Sequence, residues 1–198
     1  MLGTKILEEM KSKFNGNLRV VKSFGLGTYI QSDGLTQSGG IVETFWKQTL
    51  KKVQKTNPNF KNTLILGLGG GTVTKLIRKL WPNAKITGVD IDPLIVDLGK
   101  KYLDLEADKI YIEDASGFDA KGYDLVIIDL YQGDRFPEKF QNIIFLKSLS
   151  KNKLVVFNRL YYKDKKMEAQ EFGSKLKKVF KNVEYFYPIT NIMFICSN

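Results

Sequence analysis

The run Leu64-Ile65-Leu66-Gly67-Leu68-Gly69-Gly70-Gly71-Thr72 places a short apolar strand directly before a glycine cluster, and a helical pattern opens behind it. Glycine has no Cβ to block close approach or to forbid unusual backbone dihedrals, so such a turn lets main chain touch a bound nucleotide or nucleoside. An acidic side chain, Asp90, ends the next apolar strand 23 positions after Gly67. That is about where a ribose-gripping carboxylate belongs. A second carboxylate, Asp129, closes the apolar run Leu125-Val126-Ile127-Ile128. Open α/β sheets present their ligands at this carboxyl edge, where Asp129 could orient a nucleophile or accept its proton. Burial there would raise its pKa, and a neighbouring cation would lower it. Tyr131, two residues on, is a candidate wall of the substrate pocket.

Composition narrows the chemistry. The 198 residues include no histidine, which excludes histidine-based triads and histidine-ligated metals, so any general base is Asp, Glu, Tyr or Lys. No metal site is expected. The single cysteine, Cys196, can form no internal disulfide. No stretch approaches the ~18 apolar residues of a membrane span, and the first residues lack the apolar region of a signal peptide. A cytoplasmic location without membrane association is the expectation. The formal charge of +10 would suit a polyanion, which keeps nucleic acid open as a partner. The lysines are scattered over polar helix faces, however, and a small-molecule substrate is favoured.

Alternating strands and helices must hold these groups in place. Residues 2–14 suggest a short lysine-rich helix, and the β-rich runs Leu18–Val21 and Thr28–Gln31, joined through glycines, suggest a small hairpin. Asp33-Gly34 and Ser38-Gly39-Gly40 read as a loop, and Val42, Phe45, Trp46, Leu50 and Val53 recur at helical spacing up to Asn57-Pro58. From Thr63 onward the pattern is strand, helix, strand, helix. Asp92 is placed to cap a helix that starts at Pro93, further strands cover Lys109–Ile112, Tyr123–Asp129 and Lys153–Asn158, and helices lie around Pro137–Leu149 and Lys166–Phe180. Two final strand-like runs, Val183–Ile189 and Ile192–Cys196, have no helix between them and form an antiparallel hairpin. Residues 1–57 are accordingly an N-terminal extension of hairpin and helices, and 58–198 a nucleoside-binding domain.

Several segments in register resemble the spermidine synthase family, the aminopropyltransferase branch of the class I methyltransferase superfamily. Ile65–Gly71 is similar to that family's strand into a glycine triplet, and Val89-Asp90-Ile91-Asp92-Pro93 to its acidic-Ile-Asp-Pro motif. Glu113-Asp114-Ala115 resembles the segment whose aspartate faces the adenine amino group, and Tyr123–Asp129 the strand ending in the catalytic aspartate. Asp33-Gly34-Leu35-Thr36-Gln37 resembles the family's Asp-Gly-x-x-Gln, whose glutamine contacts the nucleoside. The resemblance implies an α/β, Rossmann-like class I methyltransferase fold: a mostly parallel seven-stranded sheet with an antiparallel C-terminal hairpin. It implies S-adenosylmethionine, or its decarboxylated form, held by Gln37, Gly67, Gly69, Gly70, Gly71, Asp90, Ile91, Asp114 and Ala115. Asp129 and Tyr131 would serve the acceptor, and a homodimer is in keeping with such relatives.

The departures bear on the reaction. Aminopropyltransferases carry an aspartate after the glycine triplet to hold the free amine of the decarboxylated cofactor; here that residue is Thr72. A hydroxyl supplies no anion for an ammonium group. Asp129 is followed by Leu130-Tyr131-Gln132, without the family's second aspartate three residues on. The sequence therefore favours methyl transfer to an unidentified substrate. Polyamine aminopropyl transfer is the alternative, and a non-catalytic nucleoside- or RNA-binding protein of the same fold is a further one.

Overall fold

The structure, a computed structural model, describes residues 3–198. It opens with strands β1 (Thr4–Ser12), β2 (Gly16–Ser23), β3 (Gly27–Ser32) and β4 (Leu35–Gly39), which form an antiparallel meander in the order 1-2-3-4. The expected N-terminal helix is thus a strand, and the expected hairpin a four-stranded sheet; Leu2 lies outside the described residues. Ile6 and Met10 stand four apart, which mimics a helical stripe. A bulge between Ile6 and Glu8 shifts the pleat, so that Leu7 and Met10 both reach the core. Residues 35–39, expected in a loop, instead pair with β3.

Helix α1 (Gly40–Thr56) buries Val42, Phe45, Trp46, Leu50 and Val53, the stripe read from the sequence. Strands β5 (Asn62–Leu66), β6 (Lys85–Asp90), β7 (Lys109–Ile112), β8 (Leu125–Ile128) and β9 (Leu154–Leu160) are parallel, and β10 (Asn182–Phe186) and β11 (Asn191–Ser197) close the sheet. The order of the seven strands is β10-β11-β9-β8-β5-β6-β7, with β11 antiparallel to both of its neighbours. The chain moves outward from β5 to β7 and then returns to β8 on the other side of β5. That reversal opens a crevice at the carboxyl ends of β5 and β8, the site where open α/β sheets bind ligands.

Helices α2 (Thr72–Leu80) and α3 (Pro93–Tyr102) share with α1 and the N-terminal strands one apolar core, in which Leu18 and Ile30 join Ile65 and Ile86. Helices α4 (Ile143–Leu149) and α5 (Lys165–Leu176) cover the other face, around Phe157, Phe172 and Phe194. The helix expected over 137–149 is interrupted: a single 3₁₀ turn, Glu138–Phe140, precedes α4, and Asn142 caps α4 by accepting from the Phe145 N–H at 2.9 Å. No helix among the described residues is long and apolar enough to cross a membrane.

The meander is tied to the larger sheet by polar as well as apolar contacts. Asp92 caps α3 by accepting from Leu94 N at 3.0 Å, and its other oxygen accepts from Ser12 Oγ at 2.5 Å and Asn15 Nδ2 at 2.7 Å. All three side chains are buried. Every lone pair the buried carboxylate uses is therefore matched by a donor, as a low-dielectric position requires.

Candidate active site

A cavity of about 280 Å³ opens at the crevice between β5 and β8. Gly67 leaves β5 in the left-handed region, with φ 86°. A Cβ there would lie 2.1 Å from the Asp129 carbonyl oxygen, so the glycine turn and the segment after β8 touch only because this residue has no side chain. Gly67 and Gly69 line the cavity, whereas Gly70 and Gly71 stand behind it. Gly70 packs against Ile30, Leu103 and the backbone of Gly99, and Gly71 is the left-handed residue that opens α2 over Leu105. Two glycines of the cluster thus offer surface, and two permit the helix to pack.

Asp90, at the end of β6, accepts from Gly69 N at 2.7 Å and Asp92 N at 2.9 Å. Burial is the main influence on it and raises its pKa to about 6, against the pull of those backbone N–H groups. Ile91 follows it on the cavity wall. Asp114 and Ala115 border the same cavity from the turn after β7. Partial burial works to raise the pKa of Asp114, but the Lys139 ammonium and the Ser116 N–H hold it below the ordinary carboxylate value. Gln37 reaches in from β4 and donates to Gly133 O at 3.4 Å, which links the meander to the segment after β8.

Asp129 faces this cavity from the next strand end. Its Oδ2 accepts from the Trp46 indole N–H at 2.9 Å and its Oδ1 from Asn158 Nδ2 at 2.8 Å. Burial pushes its pKa up, opposed by these two bonds from Asn158 and Trp46. Both of those partners are neutral, so the negative charge is not cancelled by an adjacent cation. Tyr131 lines the cavity too. Its hydroxyl oxygen accepts from Leu160 N at 2.8 Å, and burial drives its pKa upward. Thr72 sits on the wall at the start of α2, where its Oγ1 accepts from Gly39 N at 2.7 Å. Next to it, Ser38 Oγ accepts from Gly70 N at 2.7 Å.

The structure thus gathers Gln37, Gly67, Gly69, Asp90, Ile91, Asp114, Ala115, Asp129 and Tyr131 around one cavity. Sequence reasoning had no means to find Trp46, Asn158 or Lys139. Trp46 counted only as part of a buried helical stripe, and Asn158 as the end of a buried strand. Each acts across a long sequence separation, 83 residues for Trp46 and 29 for Asn158. Chemically, the arrangement can hold a nucleoside along Gly67, Gly69, Asp90 and Asp114. It can also present a raised-pKa carboxylate, Asp129, to whatever lies beside that nucleoside.

Comparison with known proteins agrees with this geometry. Residues 46–193 match the spermine/spermidine synthase domain. A polyamine aminopropyltransferase of Clostridium perfringens is 30% identical over 92% of this chain and 68% of its own length. The polyamine aminopropyltransferase of Clostridioides difficile is 35% identical over 63% of this chain and 48% of its own. Among solved structures, spermidine synthase from Thermotoga maritima superposes with a TM-score of 0.75, at 17% identity, over 96% of this chain and 72% of that one. The chain belongs to the spermine/spermidine synthase domain family, a branch of the class I methyltransferase-like fold.

Proposed function

We propose that this protein transfers an aminopropyl group from decarboxylated S-adenosylmethionine to the amine of a small polyamine acceptor. The observation that carries the reading is the placement of Asp129. Its carboxylate shares one cavity with Asp90 and Asp114 and has neutral hydrogen-bond partners. An acceptor ammonium can therefore be drawn in and give up a proton next to the bound nucleoside. Kinship with polyamine aminopropyltransferases supports the same chemistry and moves aminopropyl transfer ahead of the methyl transfer that the sequence favours. The sulfonium makes the attacked carbon electrophilic in either case, so the protein's task is to align nucleophile and leaving group.

Methyl transfer from intact S-adenosylmethionine stays as a second reading because of one feature. Thr72 offers a hydroxyl where an ammonium would need an anion, and that oxygen already accepts from Gly39 N. Calorimetric titration with decarboxylated S-adenosylmethionine, S-adenosylmethionine and methylthioadenosine separates the two readings. Aminopropyl transfer predicts that the decarboxylated form binds at least ten-fold tighter than the intact one. The reverse order would overturn it in favour of methyl transfer.

A further inference from the structure

The side-chain bonds that reach the Asp129 carboxylate all run one way. Trp46 Nε1 donates to Oδ2 at 2.9 Å, and an indole nitrogen can only donate. Asn158 Nδ2 donates to Oδ1 at 2.8 Å. The orientation of that amide is fixed from behind, because its own oxygen accepts from Asn191 Nδ2 at 2.8 Å. Thr190 Oγ1 donates in turn to Asn191 Oδ1 at 3.1 Å. Trp46, Asn158 and Asn191 are all buried. They stand on α1, β9 and β11, elements far apart in sequence, so the chain of donors is a tertiary construction rather than a local turn.

We infer that Trp46, Asn158 and Asn191 are positioning residues that aim Asp129 at the acceptor amine and leave the cavity side as its route for taking up a proton. Among the described residues, each side chain that hydrogen-bonds the carboxylate brings an N–H, and none brings an acceptor that a protonated Asp129 could donate to. A proton on Asp129 must then sit on a lone pair that faces the cavity, where the substrate lies. The inference rests on the transfer reaction proposed above. There, the acceptor enters as an ammonium, and one N–H proton passes to the Asp129 carboxylate. The freed nitrogen lone pair forms the new C–N bond to the carbon beside sulfur as the C–S bond breaks. The bonding pair stays on sulfur, which becomes a neutral thioether, and the new secondary ammonium carries the positive charge.

The donor chain also sets how basic that carboxylate is. Burial raises the pKa of Asp129, and the Asn158 and Trp46 bonds restrain the rise. The charged and titratable groups that face it are few. Tyr131 lies on its own segment, and its hydroxyl is engaged by Leu160 N. Arg159, the neighbour of Asn158 on β9, turns its guanidinium between the rings of Phe136 and Phe172, at 4.4 Å and 4.7 Å from their centroids. Tyr162, Asp90 and the Asp114–Lys139 pair line the same cavity. Helix α1 contributes Trp46 and Phe45, and β11 contributes Asn191, none of them ionisable.

The test follows the Asp129 carboxyl directly. Protein carrying ¹³C-carboxyl aspartate is titrated by infrared difference spectroscopy, with Asp129→Asn used to assign the band, alongside Trp46→Phe, Asn158→Leu and Asn191→Ala. Loss of a direct donor in Trp46→Phe or Asn158→Leu should raise the titration midpoint by about one pH unit each. Asn191→Ala, one bond removed, should shift it by less. Binding of methylthioadenosine should stay within about two-fold of wild type in all three, which shows that the site is intact. In turnover, the acid limb of the kcat profile should move with the midpoint while KM for the amine holds. A midpoint that stays put in a variant that still binds methylthioadenosine overturns the inference. Should one variant fail to fold, the other two carry the same comparison. A wild-type protein that alkylates no amine would sink the proposed reaction, and the titration would still decide whether these residues govern Asp129.

Discussion

Replacing Gly67 by alanine should damage the protein in a way that another left-handed glycine does not. The ideal Cβ of residue 67 falls 2.1 Å from the Asp129 carbonyl oxygen, 2.6 Å from its carbonyl carbon and 3.2 Å from Leu130 N. Carbon and oxygen come no closer than about 3.3 Å even in their tightest recurring contacts, so the Asp129 segment must retreat by about 1 Å. The left-handed φ costs an alanine roughly 1–2 kcal/mol, and forcing an atom into packed surroundings typically adds about 1–3 kcal/mol. Gly67→Ala should therefore lose roughly 2–5 kcal/mol. Gly122 has φ 83° but nothing within 4 Å of its would-be Cβ, so Gly122→Ala should lose only the conformational part, roughly 1–2 kcal/mol. Urea unfolding of both variants, compared at equal m-values, measures the difference. Displacing a reacting group by ~1 Å can cost 10²-fold in rate, so Gly67→Ala should also lose about two orders of magnitude in turnover, with Gly122→Ala near wild type. Equal stability losses, together with undiminished turnover in Gly67→Ala, would refute the claim that the glycine turn sets the position of Asp129.

Other perturbations have equally definite outcomes. Asp90 carries a pKa raised from 3.8 to about 6 in the fold, so between those values the folded state binds the extra proton and stability falls as pH rises through that window. With Asp90 as the proposed ribose partner, a diol would donate to its ionised form, so methylthioadenosine affinity measured by calorimetry should weaken as pH drops below about 6, and Asp90→Asn should abolish that dependence. Asp92→Ala removes a helix cap and strands Ser12 and Asn15, which should cost roughly 3 kcal/mol in chemical unfolding. Thr72→Asp supplies an anion beside the glycine turn. It should tighten decarboxylated S-adenosylmethionine by about ten-fold, the worth of one charge-assisted hydrogen bond, without a like gain for the intact cofactor.

The parts of this protein that can be read from its sequence are those whose causes are local. The β5–Gly67 turn, the Asp92-Pro93 helix start and the α1 stripe each depend on residues a few positions apart, and each lies where the pattern puts it. The meander is a different case. Strand β1 reads as a helix because its bulge at Ile6/Glu8 breaks the two-residue period that would mark a strand. Residues 35–39 become β4 only because β3 offers an edge to pair with. The same distinction divides the site. Asp90 and Asp129 announce themselves at the ends of apolar strands, whereas the partners of Asp129 come from α1 and β9 and meet it only in the folded chain. Lys139, which neutralises Asp114, sits in a turn that the sequence suggests is continuous helix.

The central claim is that the cavity joins a nucleoside site to a proton-accepting carboxylate in order to alkylate an amine. Incubation with decarboxylated S-adenosylmethionine and a short aliphatic diamine, followed by mass spectrometry, tests it most directly. The account predicts equal amounts of methylthioadenosine and a diamine heavier by one aminopropyl group, both lost in Asp129→Asn. Intact diamine and unconsumed donor would contradict it, as would a methylated product formed from S-adenosylmethionine in its place.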